Sequence, residues 1–267
     1  MDGFELIVFA LSGFLTLRFL FKWYHATLFS WPFGRGKSKK IVLGLLPVAA
    51  FFIIMSTLET WASFDVVDDS FWIFFYIVLG FAWLWLGVLA MGAFFDLSWQ
   101  DDILSMNNKA ALYAFGGGFL GLTVIYAGAN IGDGPGWWCV VFAGGRGLVA
   151  WIALAWAVNL FTNMFERVTV ERDVFAGLRF GAFLLASGII LGRASAGDWT
   201  SFSMTVVEFL DGWPMLPLTL FAVMGEQLFF KERDAENDHA ILSTVWGTAL
   251  VVIAVACVIW LPNVIGK

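Results

Sequence analysis

The chain is poor in the residue types that carry most chemistry. Its 267 residues include two cysteines, two histidines and six prolines, and only 13% are charged. Cys139 and Cys257 fall in or beside apolar runs, which implies neither a disulfide framework nor a zinc cluster. His25 and His239 both fall in loops, so the paired membrane histidines that hold haem are not expected. No nucleophile elbow, no Ser-His-Asp order and no His/Cys/carboxylate set with metal spacing occurs. No cofactor or metal is expected, and an enzymatic role finds no acid, base or nucleophile cluster.

What remains is hydrocarbon. Sixty per cent of the residues are hydrophobic and 18% aromatic, against about 45–50% apolar and about 25% charged in soluble domains. A membrane span needs roughly 20 mostly apolar residues. Such runs lie at about 4–22, 41–63, 71–95, 110–130, 137–162, 174–193, 213–230 and 241–262. They are continuous rather than alternating, which excludes the period-two strands of a membrane barrel. The expected fold is an all-α integral membrane bundle of about eight transmembrane helices, a single domain over 1–267. The first span lacks a basic leader and a small-residue cleavage site, so it reads as a retained anchor.

Lysine and arginine near span ends set orientation. The stretch KWYHATLFSWPFGRGKSKK carries Lys22, Arg35, Lys37, Lys39 and Lys40 and is assigned to the cytoplasm. Alternation then puts Lys109, Arg167, Arg172, Arg179, Lys231 and Arg233 on that side as well, with both termini outside. Arg193 and Lys267 fall outside, where the acids Glu59, Asp65, Asp68, Asp69, Asp133, Asp198, Glu208 and Asp211 gather. That acidic outer face repels nucleic acid and attracts cations or a basic partner. It is equally the topology signal seen from its other side. The expected location is the bacterial inner membrane.

Two segments echo each other. FDLSWQDDILSMNNKAALYAFGGGFLGLTVIYAGANIGDG and FERVTVERDVFAGLRFGAFLLASGIILGRASAGDW each open on an aromatic and an acid. Each passes through Gly-x-Phe-Leu and closes on a Gly-Asp pair. The unit is a two-span hairpin, 71–130 and then 137–199, and an even number of spans makes the copies parallel. The runs MNNKAALYAFGGGFLGLTV and VFAGLRFGAFLLASGII resemble the repeats of the YjfL-like family of uncharacterised bacterial inner-membrane proteins. The shared pattern is Asn107, Asn108, Ala110, Ala111, Gly117 and Gly121; in the second unit Glu171, Arg172 and Asp173 replace the asparagines. The resemblance implies a small multi-span protein without enzyme activity, a partner in membrane stress or integrity systems.

GGGFLG, from Gly116 to Gly121, matches the dinucleotide fingerprint in letters alone. That motif works after a strand at an exposed helix start, whereas this one sits inside a span. The pairs Gly117 and Gly121, Gly128 and Gly132, Gly177 and Gly181, and Gly188 and Gly192 are instead small-xxx-small spacings, which let membrane helices approach closely. Tryptophans such as Trp23, Trp61, Trp99, Trp137, Trp199 and Trp260 mark span ends as an interfacial belt. Trp83, Trp85, Trp151 and Trp156 lie deeper and read as packing residues.

Arg146, in VVFAGGRGLVAW, stands well inside a span. It needs a carboxylate, a lipid phosphate or a water-filled path. Candidate partners are Asp133, Asp198, Glu208 and Glu59, with Arg193 and Asn159 also near or inside spans. An ion-pair anchor, a lipid or anion contact and a transport charge all remain open. The stretch DWTSFSMTVVEFLDGWP has apolar Phe202, Val206, Phe209 and Leu210 at helical spacing, as an interfacial helix over the outer mouth would. The expected role is a non-enzymatic subunit or scaffold in the bilayer, with a protein partner or a second copy; the alternative is a small transporter or channel between the repeats.

Overall fold

Inside a bilayer each backbone N–H must find a carbonyl within its own segment, so apolar runs become helices. The computed structural model describes residues 3–29, 38–230 and 240–260 fully, and residues 37, 238 and 239 as backbone. Arg35, the acid-rich stretch 231–237, the side chain of His239 and Lys267 lie outside the described residues. In chain order the helices are α1 (Gly3–Phe29), α2 (Lys37–Thr60), α3 (Phe64–Val67), α4 (Ser70–Phe95), α5 (Lys109–Ala129) and α6 (Trp137–Thr162). They continue with α7 (Met164–Thr169), α8 (Val174–Ser195), α9 (Phe202–Glu208), α10 (Met215–Phe229) and α11 (Asp238–Trp260). Among the described residues, eight helical segments are long and apolar enough to cross a membrane. The molecule is an all-α membrane bundle.

Two segments differ from the sequence expectation. Helix α1 runs on to Phe29, so His25 stands in a helix, stacked on Phe21, rather than in a loop. The seventh crossing is composite, with α9, a tight turn at Phe209–Gly212 and α10 together spanning Phe202–Phe229. Helix α9 buries none of its residues. Its apolar Phe202 and Val206, and Leu210 in the turn that follows, are exposed, as side chains facing lipid would be.

The helices start and stop where the sequence supplies caps. Asn108 begins α5 by accepting from the Ala111 N–H, and Asp173 begins α8 by accepting from Phe175 and Ala176. Asp96 and Asn163 end α4 and α6 in the left-handed region, which Asn and Asp tolerate better than most residues. Between α4 and α5 a π-helical turn covers Trp99–Ser105, and Lys39 Nζ donates to the Ile103 and Leu104 carbonyls at 2.9 Å each.

Helices α5 and α8 are the centre. In each, 67% of the apolar window is buried, against 17% in α1 and 22% in α11. A methyl group added at Gly117 would overlap the Gly181 carbonyl, and one at Gly128 the Gly192 carbonyl. Gly121 meets Leu184 and Gly188, and Gly177 meets Ala110. Between bilayer helices the hydrophobic effect contributes little, so contact area and close backbone approach must supply the attraction. Buried donors along this seam find carbonyls: Trp151 Nε1 bonds Leu184 at 2.9 Å, and the Tyr126 hydroxyl bonds Tyr76 at 2.6 Å.

At one end of the bundle, three turns tie together. Gly132 N–H donates to Trp61, Gly197 N–H to Ile131, and Trp199 N–H to the Asp133 carbonyl at 2.7 Å. Asp133 N–H donates to the Asp198 carboxylate, and Phe64 N–H donates to Asp133 Oδ1. This is the acidic end. The opposite end, with Lys39, Lys109, Arg167 and Arg172, is the basic end.

Candidate functional site

Helix α6 begins at the acidic end, and Arg146 follows Trp137 by about 13 Å at 1.5 Å per residue. Gly144 packs on Trp83, and Gly147 lies against Ile125 and Ser195, so this stretch of α6 is pressed onto α4, α5 and α8. The Arg146 guanidinium sits 5.0 Å from the centroids of both the Phe142 and Phe209 rings. Its Nη1 donates to the Thr205 carbonyl of α9. Its Nε is buried without an acceptor among the described residues.

Arg146, Asp133 and Glu208 line one cavity of about 50 Å³. Its walls include Leu58, Tyr76, Asn130, Cys139, Ser195 and Trp199. A shallower cleft of about 290 Å³ shares Ser63, Asp133, Gly134 and Trp199 with it. Glu208 is near enough to act on Arg146 electrostatically, yet no carboxylate lies within 4.0 Å of the guanidinium among the described residues. A backbone carbonyl and two aromatic faces therefore hold Arg146, with Glu208 beyond ion-pair distance.

The remaining sequence candidates divide. Asp198 is engaged with the Asp133 N–H beside the cavity. Arg193 is in the last turn of α8 and Glu59 is exposed near the end of α2; neither lines the cavity. Asn159 is at the far end of α6, where its side chain accepts from the Phe165 N–H at 2.8 Å and joins α6 to α7. It takes no part in the Arg146 site. Gly132 lines the cavity at φ 103°, with the Gly197 backbone against it, so a side chain there is excluded twice over.

A second cluster, at the basic end, went unread in the sequence. Arg179 is 3% exposed and Glu226 6%. Arg179 bonds both oxygens of Glu226, through Nε to Oε1 and Nη2 to Oε2, and its Nη1 donates to Ser243 Oγ at 2.6 Å. Arg167 Nη1 reaches the same Glu226 at 2.7 Å, and Arg167 Nη2 reaches Asp173 at 3.0 Å. The Phe230 ring covers Arg179 at 3.8 Å. One carboxylate so gathers α7, α8 and α10, with α11 tied through Ser243.

Arg179 and Glu226 each stand inside an apolar run, and that was the available signal. Counting Arg179 with the loop bases concealed it. Outside the spans, burial raises the Asp102 carboxyl above its usual range, partly offset by the Ser98 N–H. Burial also acts to raise Asp173. There the Ala176 N–H and the Arg167 guanidinium outweigh it and hold the carboxyl below the usual range.

Residues 65–195 match the family model Domain of Unknown Function (DUF350). No curated protein and no solved structure matches. The matched stretch starts in α3 and ends on Ser195, the last residue of α8. It therefore contains the glycine seam, Arg146 and Arg179, but neither α9 nor Glu226. Over that stretch the chain is similar to a family of unknown function.

Proposed function

We propose that the chain is a non-enzymatic subunit or scaffold of a complex in the bacterial inner membrane, with both termini on the periplasmic side. One observation carries this reading: the two polar clusters sit at opposite ends, and the central helix seam between them is closely packed. There the α5·α8 seam is backbone against backbone, and the buried hydroxyls of Thr123 and Ser187 bond carbonyls of their own helices. A transport pathway would need polar groups facing a shared space at this depth.

The parallel-repeat reading belongs to the same proposal, as does kinship with the YjfL-like family. Two features support it. Asn108 and Asp173 cap the second helix of each hairpin in the same way. Gly117 meets Gly181 and Gly128 meets Gly192, so residues that correspond in the two segments touch each other, as across a two-fold axis.

Purification in mild detergent with mass analysis of co-eluting chains tests the scaffold role. A partner chain or a second copy at fixed stoichiometry is the expected result; a lone monomer in every detergent and nanodisc overturns it. Solute flux in proteoliposomes that is lost in Arg146→Ala would establish the transporter alternative instead.

A further inference from the structure

The Arg146 site combines three features: an under-bonded guanidinium, a cavity beside it and carboxylates nearby. Nη1 is taken by the Thr205 carbonyl and Nε is buried without an acceptor, while Nη2 makes no hydrogen bond among the described residues. Nη2 is therefore the donor left for an oxygen of a phosphate or carboxylate. The cavity beside it has room for roughly three to five water molecules, since one water needs about 10–15 Å³ in the same measure, and it shares Asp133 and Trp199 with the cleft of about 290 Å³. The cavity also carries Glu208 and Asp133, with Asp198 adjacent.

A ligand with negative charge alone would meet those carboxylates, and one with positive charge alone would meet the guanidinium. A group bearing both satisfies both. The surroundings place such a group at a membrane surface: Trp138, Phe142, Trp199 and Phe202 form one aromatic cluster beside the site, at ring separations of 4.7–5.8 Å. Aromatic residues of this kind favour the headgroup region.

We propose that the Arg146 cavity binds an ethanolamine-phosphate group, with the phosphate on Arg146 and the ammonium toward Glu208 and Asp133. The group has two sources, the headgroup of phosphatidylethanolamine and free phosphoethanolamine. The site does not depend on the scaffold role, because its test reads ligand binding and not co-eluting chains.

The full chain in detergent is titrated with dihexanoyl phosphatidylethanolamine, dihexanoyl phosphatidylglycerol and free phosphoethanolamine, following tryptophan fluorescence and melting temperature. Saturable binding of the phosphatidylethanolamine, on the order of tenfold tighter than the phosphatidylglycerol, is expected. Glu208→Gln should bring that ratio close to one, and Arg146→Gln should weaken both lipids by about tenfold. Helix α9 buries none of its residues, so Glu208→Gln keeps the test readable should Arg146→Gln fail to fold. Binding of the short-chain lipid alone makes the bilayer the source; equal binding of free phosphoethanolamine makes the soluble compound the source. Equal affinity for the two lipids in the unaltered chain, an unchanged ratio in Glu208→Gln, or no saturable binding overturns the proposal.

Discussion

Arg146 and Arg179 are both arginines inside apolar helices, and the protein treats them in opposite ways. Around Arg179 every contact is made by the chain itself: a two-oxygen fork to Glu226, a serine hydroxyl and an aromatic face. Around Arg146 the chain supplies one carbonyl and two rings, then leaves a buried Nε without an acceptor. A charge that is fully satisfied and buried serves to hold helices together, because removing one partner strands the other in a low-dielectric interior. A charge left partly open beside a cavity is available to something outside the chain. What separates the two cases is the set of acceptors around each guanidinium.

The sharpest way to break this contrast is Glu226→Gln. It leaves two arginines without their shared carboxylate and should lower stability by about 3–5 kcal/mol, read as a fall in the melting temperature of the detergent-solubilised chain. An unchanged melting point would remove Arg179 from the anchoring role. Next in size is Gly128→Ala, whose methyl has only the Gly192 backbone to displace. Overpacking of this kind costs about 1–3 kcal/mol, and Gly145→Ala, at a position with nothing within 4 Å, is the matched control that should do little.

A smaller effect follows from pH. Asp173 has a depressed folded pKa, so its contribution is present above the unfolded carboxylate pKa of about 3.9 and disappears as pH falls through the lower folded value. Melting temperatures compared at pH 6 and pH 3 should show this loss, and Asp173→Asn should remove part of it. The smallest expected change in stability is that of Arg146→Gln, about 1 kcal/mol or less, since it removes one net hydrogen bond and an open donor. A destabilisation as large as that of Glu226→Gln would erase the contrast between the two arginines.

Several parts of this architecture were legible from residues alone. The eight apolar runs were, because hydrocarbon length sets helix length. So were the glycine spacings at 117, 121, 128, 177, 181, 188 and 192, because only small residues permit close approach. Asp173 as the cap of α8 could be read from its place before an apolar run. Arg146 was visible as a charge inside a span, and Asp133 and Glu208, which line its cavity, were among its candidate partners, but the Thr205 carbonyl and the two rings were not. Thr205 is 59 residues away in sequence and Phe209 lies farther still, and composition does not say which carbonyl or ring of that segment meets the guanidinium. The Arg179–Glu226 pair escaped for a related reason: each residue lies near a span end, where a lone charge looks like part of a loop.

Sequence by itself therefore determined that this chain is a bundle of membrane helices, where most of those helices begin and end, and which of their faces carry small residues. Those properties follow from local requirements, namely backbone hydrogen bonding without water and the volume of each side chain. Tertiary structure alone decided which buried charge is neutralised within the chain and which is left open. Ion-pair distance depends on how helices distant in sequence come together, and a few ångströms there separate a carboxylate that closes the Arg179 fork from one that stops short of Arg146.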